Sequence, residues 1–198
     1  MNPIRRKMVT PLLIASLAML SDIGPAAASD ELWARLKEGG KVVLMRHAKT
    51  VKGKGLGNPL FRDPTCKKER NLSNEGKRDA ETVGNQFRQR GIPVSEVRHS
   101  PFCRTTDTAR HAFGNVTPAE YLSLLEILEP DEATKQTRKL TEVIGSYTGT
   151  GNLVLVSHEP NIGAVSFEEV SNLDFVVLQP KGGNEYEELG KIRFVDQD

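Results

Sequence analysis

The strongest constraint on the fold is a pair of short apolar runs, each ending in a histidine. Val42-Val43-Leu44-Met45 leads into Arg46-His47, and Leu153-Val154-Leu155-Val156-Ser157 leads into His158. Unbroken apolar runs of this length suit strands covered on both faces, as in parallel sheets. In open α/β sheets, ligands bind beyond the carboxyl ends of the strands. Two such strands, each delivering a histidine at its carboxyl end, predict a single site at one edge of one sheet. The Arg46 guanidinium beside the first histidine points to an anionic ligand.

The segments between these runs read as helices and further strands. Asp30 to Lys37 predicts a short helix with Leu32, Trp33 and Leu36 on one face, stopped by Gly39-Gly40. Residues 48–71 are polar and interrupted by Gly and Pro, and a loop that long is usually functional or disordered. Ser73 can cap a helix running to about Arg90, with Ala80, Val83 and Phe87 as its buried stripe. Val94 to His99 reads as a strand. Ser100-Pro101 reads as an N-cap followed by proline at the first helical position, opening a helix through Thr105, Ala109 and Phe113. Strand or irregular structure is expected over Glu120–Leu128, and a helix over Glu132–Tyr147 with Leu140, Val143, Ile144 and Tyr147 inward. Two more strands are expected near Phe175–Leu178 and Ile192–Val195. Alternating strands and helices predict one α/β domain with a mainly parallel sheet.

The first residues stand apart. Arg5-Arg6-Lys7 precede the apolar run Leu12 to Leu20, and Ala26-Ala27-Ala28 follow. A basic stretch, a short apolar core and a small-residue ending read as a secretory signal peptide over residues 1–28, leaving 29–198 as the folded domain. The alternative is a membrane anchor, but the run falls short of the roughly 20 residues a span needs, so no stable span is expected. The expected location is periplasmic or secreted. Cys66 and Cys103 would then sit in a compartment that can be oxidising, and could form a disulfide tying the polar loop to the site or remain free thiols. A formal net charge of +1 gives no electrostatic reason to expect a nucleic-acid partner.

Arg46, His47, Arg104 and His158 carry the chemistry. A transferring phosphoryl group spreads negative charge over three equatorial oxygens, so its catalysis is mostly positioning and charge stabilisation. A guanidinium supplies a planar, permanently charged fork for that group. Histidine attacks phosphorus only when neutral, and two nearby guanidinium groups are expected to lower its pKa. Attack would give a phosphohistidine, later hydrolysed by water. No cofactor is expected, and the chain lacks His-Glu-x-x-His, Cys-x-x-Cys and the glycine-rich phosphate loop.

Four segments resemble, in order, the histidine phosphatase (phosphoglycerate mutase-like) superfamily. Leu44-Met45-Arg46-His47-Ala48 is similar to its Arg-His-Gly signature, with alanine for glycine. Asn71-Leu72-Ser73-Asn74-Glu75-Gly76 resembles its Leu-Thr-x-x-Gly helix start. Ser100-Pro101-Phe102-Cys103-Arg104-Thr105-Thr106-Asp107-Thr108-Ala109 resembles the segment with its second arginine, and Val156-Ser157-His158-Glu159-Pro160-Asn161 the segment with its second histidine. The resemblance implies a three-layer α/β/α fold and a metal-free site, with His47 as nucleophile and Arg46, Arg104 and His158 on the phosphate. It also implies a general acid. Many members take it from a glutamate between the second arginine and second histidine, where Glu126 stands, with Glu120 and Glu129 as rivals. Another branch places it directly after the second histidine, where Glu159 stands.

Arg70 borders the Leu72 segment and is the leading candidate for a substrate rim on the polar loop. His99 and His111 match no motif position; His99 is expected to pack and His111 to lie on an exposed helix face. The expected activity is an exported phosphomonoesterase acting on a small phosphorylated substrate. Exported relatives look like phosphatases of envelope sugar phosphates, such as lipopolysaccharide core heptose phosphate. The alternatives are a phosphatase of phosphohistidine proteins and a non-catalytic phosphate-binding module.

Overall fold

A computed structural model describes residues 25–53 and 57–194. Most of the segment read as a signal peptide lies outside the described residues. The first helix, α1, runs Pro25–Lys37 and so begins upstream of the expected cleavage point. Its apolar face is the expected one, with Leu32, Trp33 and Leu36 buried. No helix among the described residues is long and apolar enough to cross a membrane.

The chain continues through β1 (Val42–Arg46), α2 (Asn74–Gln89), β2 (Val94–His99), α3 (Cys103–Phe113), β3 (Thr117–Pro118), α4 (Pro130–Gly145), β4 (Asn152–Ser157), α5 (Glu159–Gly163), β5 (Phe175–Gly182) and β6 (Glu185–Ile192). Two short 3-10 helices, Glu120–Leu122 and Leu125–Ile127, bridge β3 and α4, where strand or irregular structure was expected. The six strands form one sheet in the order β3-β2-β4-β1-β5-β6. β3, β2, β4 and β1 are mutually parallel, and β5 and β6 join antiparallel at one edge. The sheet is thus mostly parallel and covered by helices on both faces.

That covering explains the unbroken apolar strands. Successive strand side chains point to opposite faces. Val43 and Met45 of β1 join Val154 and Val156 of β4 in one core, against Trp33, Phe87 and Ala109 of α1, α2 and α3. Val42, Leu44, Leu153 and Leu155 face the other way, onto Leu140 and Ile144 of α4. The buried polar residues of β4, Asn152 and Ser157, stand at its two ends, where each has a hydrogen-bond partner.

Two boundaries differ from expectation. The last strand is Glu185–Ile192 rather than the segment around Ile192–Val195. Gly182 and Gly183 adopt φ of 103° and 56°, so the chain turns back tightly into a paired strand whose outer residues are polar. The α3 helix starts at Cys103, with Phe102 as its N-cap, so Ser100 is not the cap and Pro101 is not its first residue. The Ser100 hydroxyl is engaged elsewhere, by His158.

Candidate active site

Three parallel strands end side by side. β1 pairs with β4 so that Arg46 lies opposite Ser157, and β2 pairs with β4 so that His99 lies opposite Val156. The residues that follow these strands, His47, Ser100 and His158, are therefore carried to one edge. Arg104 reaches the same edge from the first turn of α3. Arg46, His47, Arg104 and His158 line a common cleft of about 160 Å3, together with Pro59, Leu60, Arg70, Leu124, Glu126, Glu159 and Pro160.

Backbone contacts fix the His47 loop from three sides. His47 N donates to Ser157 O at 3.0 Å, Ala48 N donates to Thr108 Oγ1 at 3.0 Å, and Asn172 Nδ2 donates to His47 O at 2.8 Å. The α2 start packs from a fourth. Its N-cap Ser73 accepts from Gly76 N, and a Cβ on Gly76 would lie 2.1 Å from Lys49 O. That close approach is why the Leu-Ser-x-x-Gly segment needs its glycine.

The hydrogen bonds assign the tautomers of both imidazoles. His47 Nδ1 lies 2.8 Å from Ala48 O. A carbonyl only accepts, so Nδ1 carries the proton and Nε2 keeps its lone pair. His158 Nδ1 lies 3.1 Å from Arg104 Nη2, which only donates, so this Nδ1 accepts. Its Nε2 then bears the proton and donates to Ser100 Oγ at 2.8 Å. The His158 ring is also packed by Phe102, with centroids 5.1 Å apart, and the Arg104 guanidinium lies 4.5 Å over the Phe102 ring.

Both rings are held neutral. His47 is 6% exposed and its pKa falls to about 3, first through burial and then through Arg104, Arg46 and Arg70. His158 is lowered well below its usual value, again by burial first and then by Arg104, His47 and Arg46. Desolvation thus outweighs the guanidinium charges expected to do this work. Arg104 is itself brought down to about 10 by burial and by Arg70.

The guanidinium groups keep hydrogen atoms without acceptors inside the protein. Arg104 is 2% exposed, yet its Nε and Nη1 have no partner among the described residues. Arg46 Nη1 is spent on Val170 O at 2.7 Å, while its Nε is buried and unpartnered. Arg70 Nε is buried and unpartnered too. Leaving such groups dry and unpaired is costly, so their clustering marks an anion site.

The candidate acids stand at the mouth. Glu126 and Glu159 both line the cleft, and Glu159 lies 3.9 Å from Arg46 Nη2. Glu120 is gripped by the two terminal nitrogens of Arg62 at 3.1 Å, and Glu129 immediately precedes α4; neither lines the cleft. His99 is buried, with Nδ1 on Ser100 O, and His111 pairs with Glu81 on the helix surface. No group of three or more His, Cys, Asp or Glu among the described residues could hold a metal ion.

Cys66 and Cys103 are bridged, with Cα atoms 5.8 Å apart, which ties the polar loop to the first residue of α3. Beside the bridge lies a residue that sequence reasoning missed. Glu69 is 2% exposed, accepts Cys103 N at 2.7 Å and accepts Asp63 N at 2.9 Å. It satisfies the helix start that Ser100 was expected to cap, from 34 residues away. One acidic residue in a loop rich in lysine carries no local mark of such a role.

Comparison with known proteins agrees with this geometry. Residues 42–129 match the model of the histidine phosphatase superfamily (branch 1). Among solved structures, the protein histidine phosphatase SixA complexed with tungstate aligns at 14% identity and a TM-score of 0.55, over 77% of this chain and 96% of that one. YhfR of Bacillus stearothermophilus aligns at 11% identity and 0.58, over 76% and 95%. A mycobacterial glucosyl-3-phosphoglycerate phosphatase aligns at 13% and 0.52, over 79% and 99%. No curated protein sequence matches the chain. The stretch that matches this family model carries Arg46, His47, Arg104 and Glu126, and the fold is shared with these solved structures.

Proposed function

We propose that the protein is an exported, metal-independent phosphomonoesterase working through a phosphohistidine on His47. One observation carries the reading. A neutral imidazole, its Nδ1 proton fixed on Ala48 O, shares a cleft with guanidinium N–H groups that find no acceptor among the described residues. That arrangement suits a nucleophile and an anion clamp, and a phosphoryl group needs both.

The steps follow from the tautomers. His47 Nε2 attacks phosphorus, forming a P–N bond as the bond to the ester oxygen breaks. Arg46 and Arg104 hold the charge of the equatorial oxygens. Glu126 gives its proton to the departing oxygen, since Glu159 is drawn towards Arg46. The Glu126 carboxylate then takes a proton from a water that attacks phosphorus. The P–N bond breaks and its electron pair returns to Nε2, releasing inorganic phosphate and neutral His47. His158 starts as an acceptor from Arg104. In that tautomer it steadies the Arg104 guanidinium that bonds the phosphoryl oxygens.

The bridged cysteines support export, because such bonds persist in oxidising compartments. An exported enzyme would meet phosphorylated envelope sugars, the substrate class we favour. The test is release of phosphate from p-nitrophenyl phosphate and a sugar phosphate panel, with chelator present. Native protein should turn over and His47→Ala should not. Equal rates would remove His47 as nucleophile. No turnover, with phosphate still bound, would leave a binding module instead.

A further inference from the structure

We propose that Arg70 is a third guanidinium on the transferring phosphoryl group, making the site selective for a terminal phosphomonoester over a diester. The proposal rests on the phosphoesterase reading above and names the feature that would restrict its substrates.

Arg70 lies on the long polar loop, where a mobile surface arginine would be the ordinary expectation. The structure removes that mobility. The loop is pinned to α3 by the Cys66–Cys103 bridge and by the Glu69 carboxylate on Cys103 N. It is also pinned to itself, through Asn58 N on Lys68 O at 2.9 Å and Arg70 N on Asn58 O at 3.3 Å. The links fall on neighbouring residues: Glu69 holds Cys103, and the next residue of each segment is an arginine lining the cleft. Two like charges are therefore held side by side, and each guanidinium keeps a buried Nε without an acceptor among the described residues. Repulsion between them is felt in the lowered pKa of Arg104, to which Arg70 is the largest charge contribution. A fold that holds two cations together by a covalent bridge and a buried carboxylate, leaving their donors unpaired, is built for an anion that bonds both.

With Arg46, the cleft holds three guanidinium groups. A phosphomonoester dianion offers three nonbridging oxygens, whereas a diester offers two and one charge less. A third arginine therefore rewards the monoester and gives a diester nothing equivalent.

The test uses the full disulfide-bonded protein with two variants, Arg70→Gln and Arg70→Lys. Calorimetry with tungstate, which needs no turnover, should show affinity falling about 10- to 100-fold in Arg70→Gln, the size of a lost charge-assisted hydrogen bond. Arg70→Lys should recover part of it. KM for p-nitrophenyl phosphate should rise in step. The preference for that monoester over bis-p-nitrophenyl phosphate should shrink, while the unliganded thermal midpoint does not fall, because repulsion with Arg104 is relieved. A tungstate affinity within twofold of native in Arg70→Gln, or an unchanged monoester preference, would overturn the proposal. Failure of turnover in native protein would strike the phosphoesterase reading instead and leave the binding result to judge Arg70.

Discussion

Burying a histidine in its neutral form makes folding depend on pH, and His47 allows the size to be worked out. Its pKa is 6.5 when unperturbed and about 3 in the folded protein. Between those values the unfolded chain binds a proton that the native protein refuses. The contribution is complete above pH 6.5, is lost progressively as pH falls, and stops changing below about pH 3. The slope is about 1.4 kcal/mol per pH unit for one proton. From pH 7 to pH 4.5 the loss from this single ring is about 3 kcal/mol, a large share of a stability of about 5–15 kcal/mol. His158 is displaced in the same direction and adds to the slope. The assay is urea denaturation of native protein and His47→Gln at several pH values between 4 and 7.5. Whatever His47→Gln does to stability at pH 7, its loss between pH 7 and pH 4.5 should be smaller than native by about 3 kcal/mol. Parallel curves would refute the claim that His47 is buried without its second proton.

Further predictions concern the acid, the scaffold and the bridge. Glu126→Gln should lower kcat/KM for a sugar phosphate by about 100- to 10,000-fold while barely affecting kcat/KM for p-nitrophenyl phosphate, whose leaving oxygen needs no proton, and should slow the shared hydrolysis of the phosphohistidine with both esters; steady-state kinetics on both esters checks this, and an equal fall in kcat/KM on both would contradict it. Thr108→Val removes the acceptor of Ala48 N and should cost about 1–3 kcal/mol in denaturant unfolding with a fall in kcat, since Ala48 O orients His47; an unchanged stability would contradict the role given to that hydroxyl. Cys66→Ser combined with Cys103→Ser opens a link spanning 37 residues and should cost about 4 kcal/mol by loop entropy, read from urea midpoints.

The clustering of Arg46, His47, Arg104 and His158 was more legible than its supports. The apolar runs ahead of His47 and His158 announced two covered strands, and the strand order then put their ends together. Arg46 followed from its place at a strand end, whereas Arg104 entered through the resemblance of its segment to the family. The α3 start was misread because a serine followed by proline satisfies the local rules for a cap, while the hydroxyl is claimed by His158, distant in sequence. The Glu69, Thr108 and Asn172 contacts were invisible for the same reason. Each is made across tens of residues and depends on how two segments meet, not on what surrounds them in the chain. The final strand was displaced because its exposed, polar face hides the apolar alternation used to find it.

The central claim is that phosphorus becomes bonded to His47 during turnover. The direct measurement is a rapid quench in alkali of native protein with a phosphate-labelled ester, followed by mapping of the labelled peptide. The account predicts a label that survives base, is lost in acid, sits on the peptide containing His47 and is missing in His47→Ala. Turnover at the full rate with no label ever reaching that peptide would contradict it.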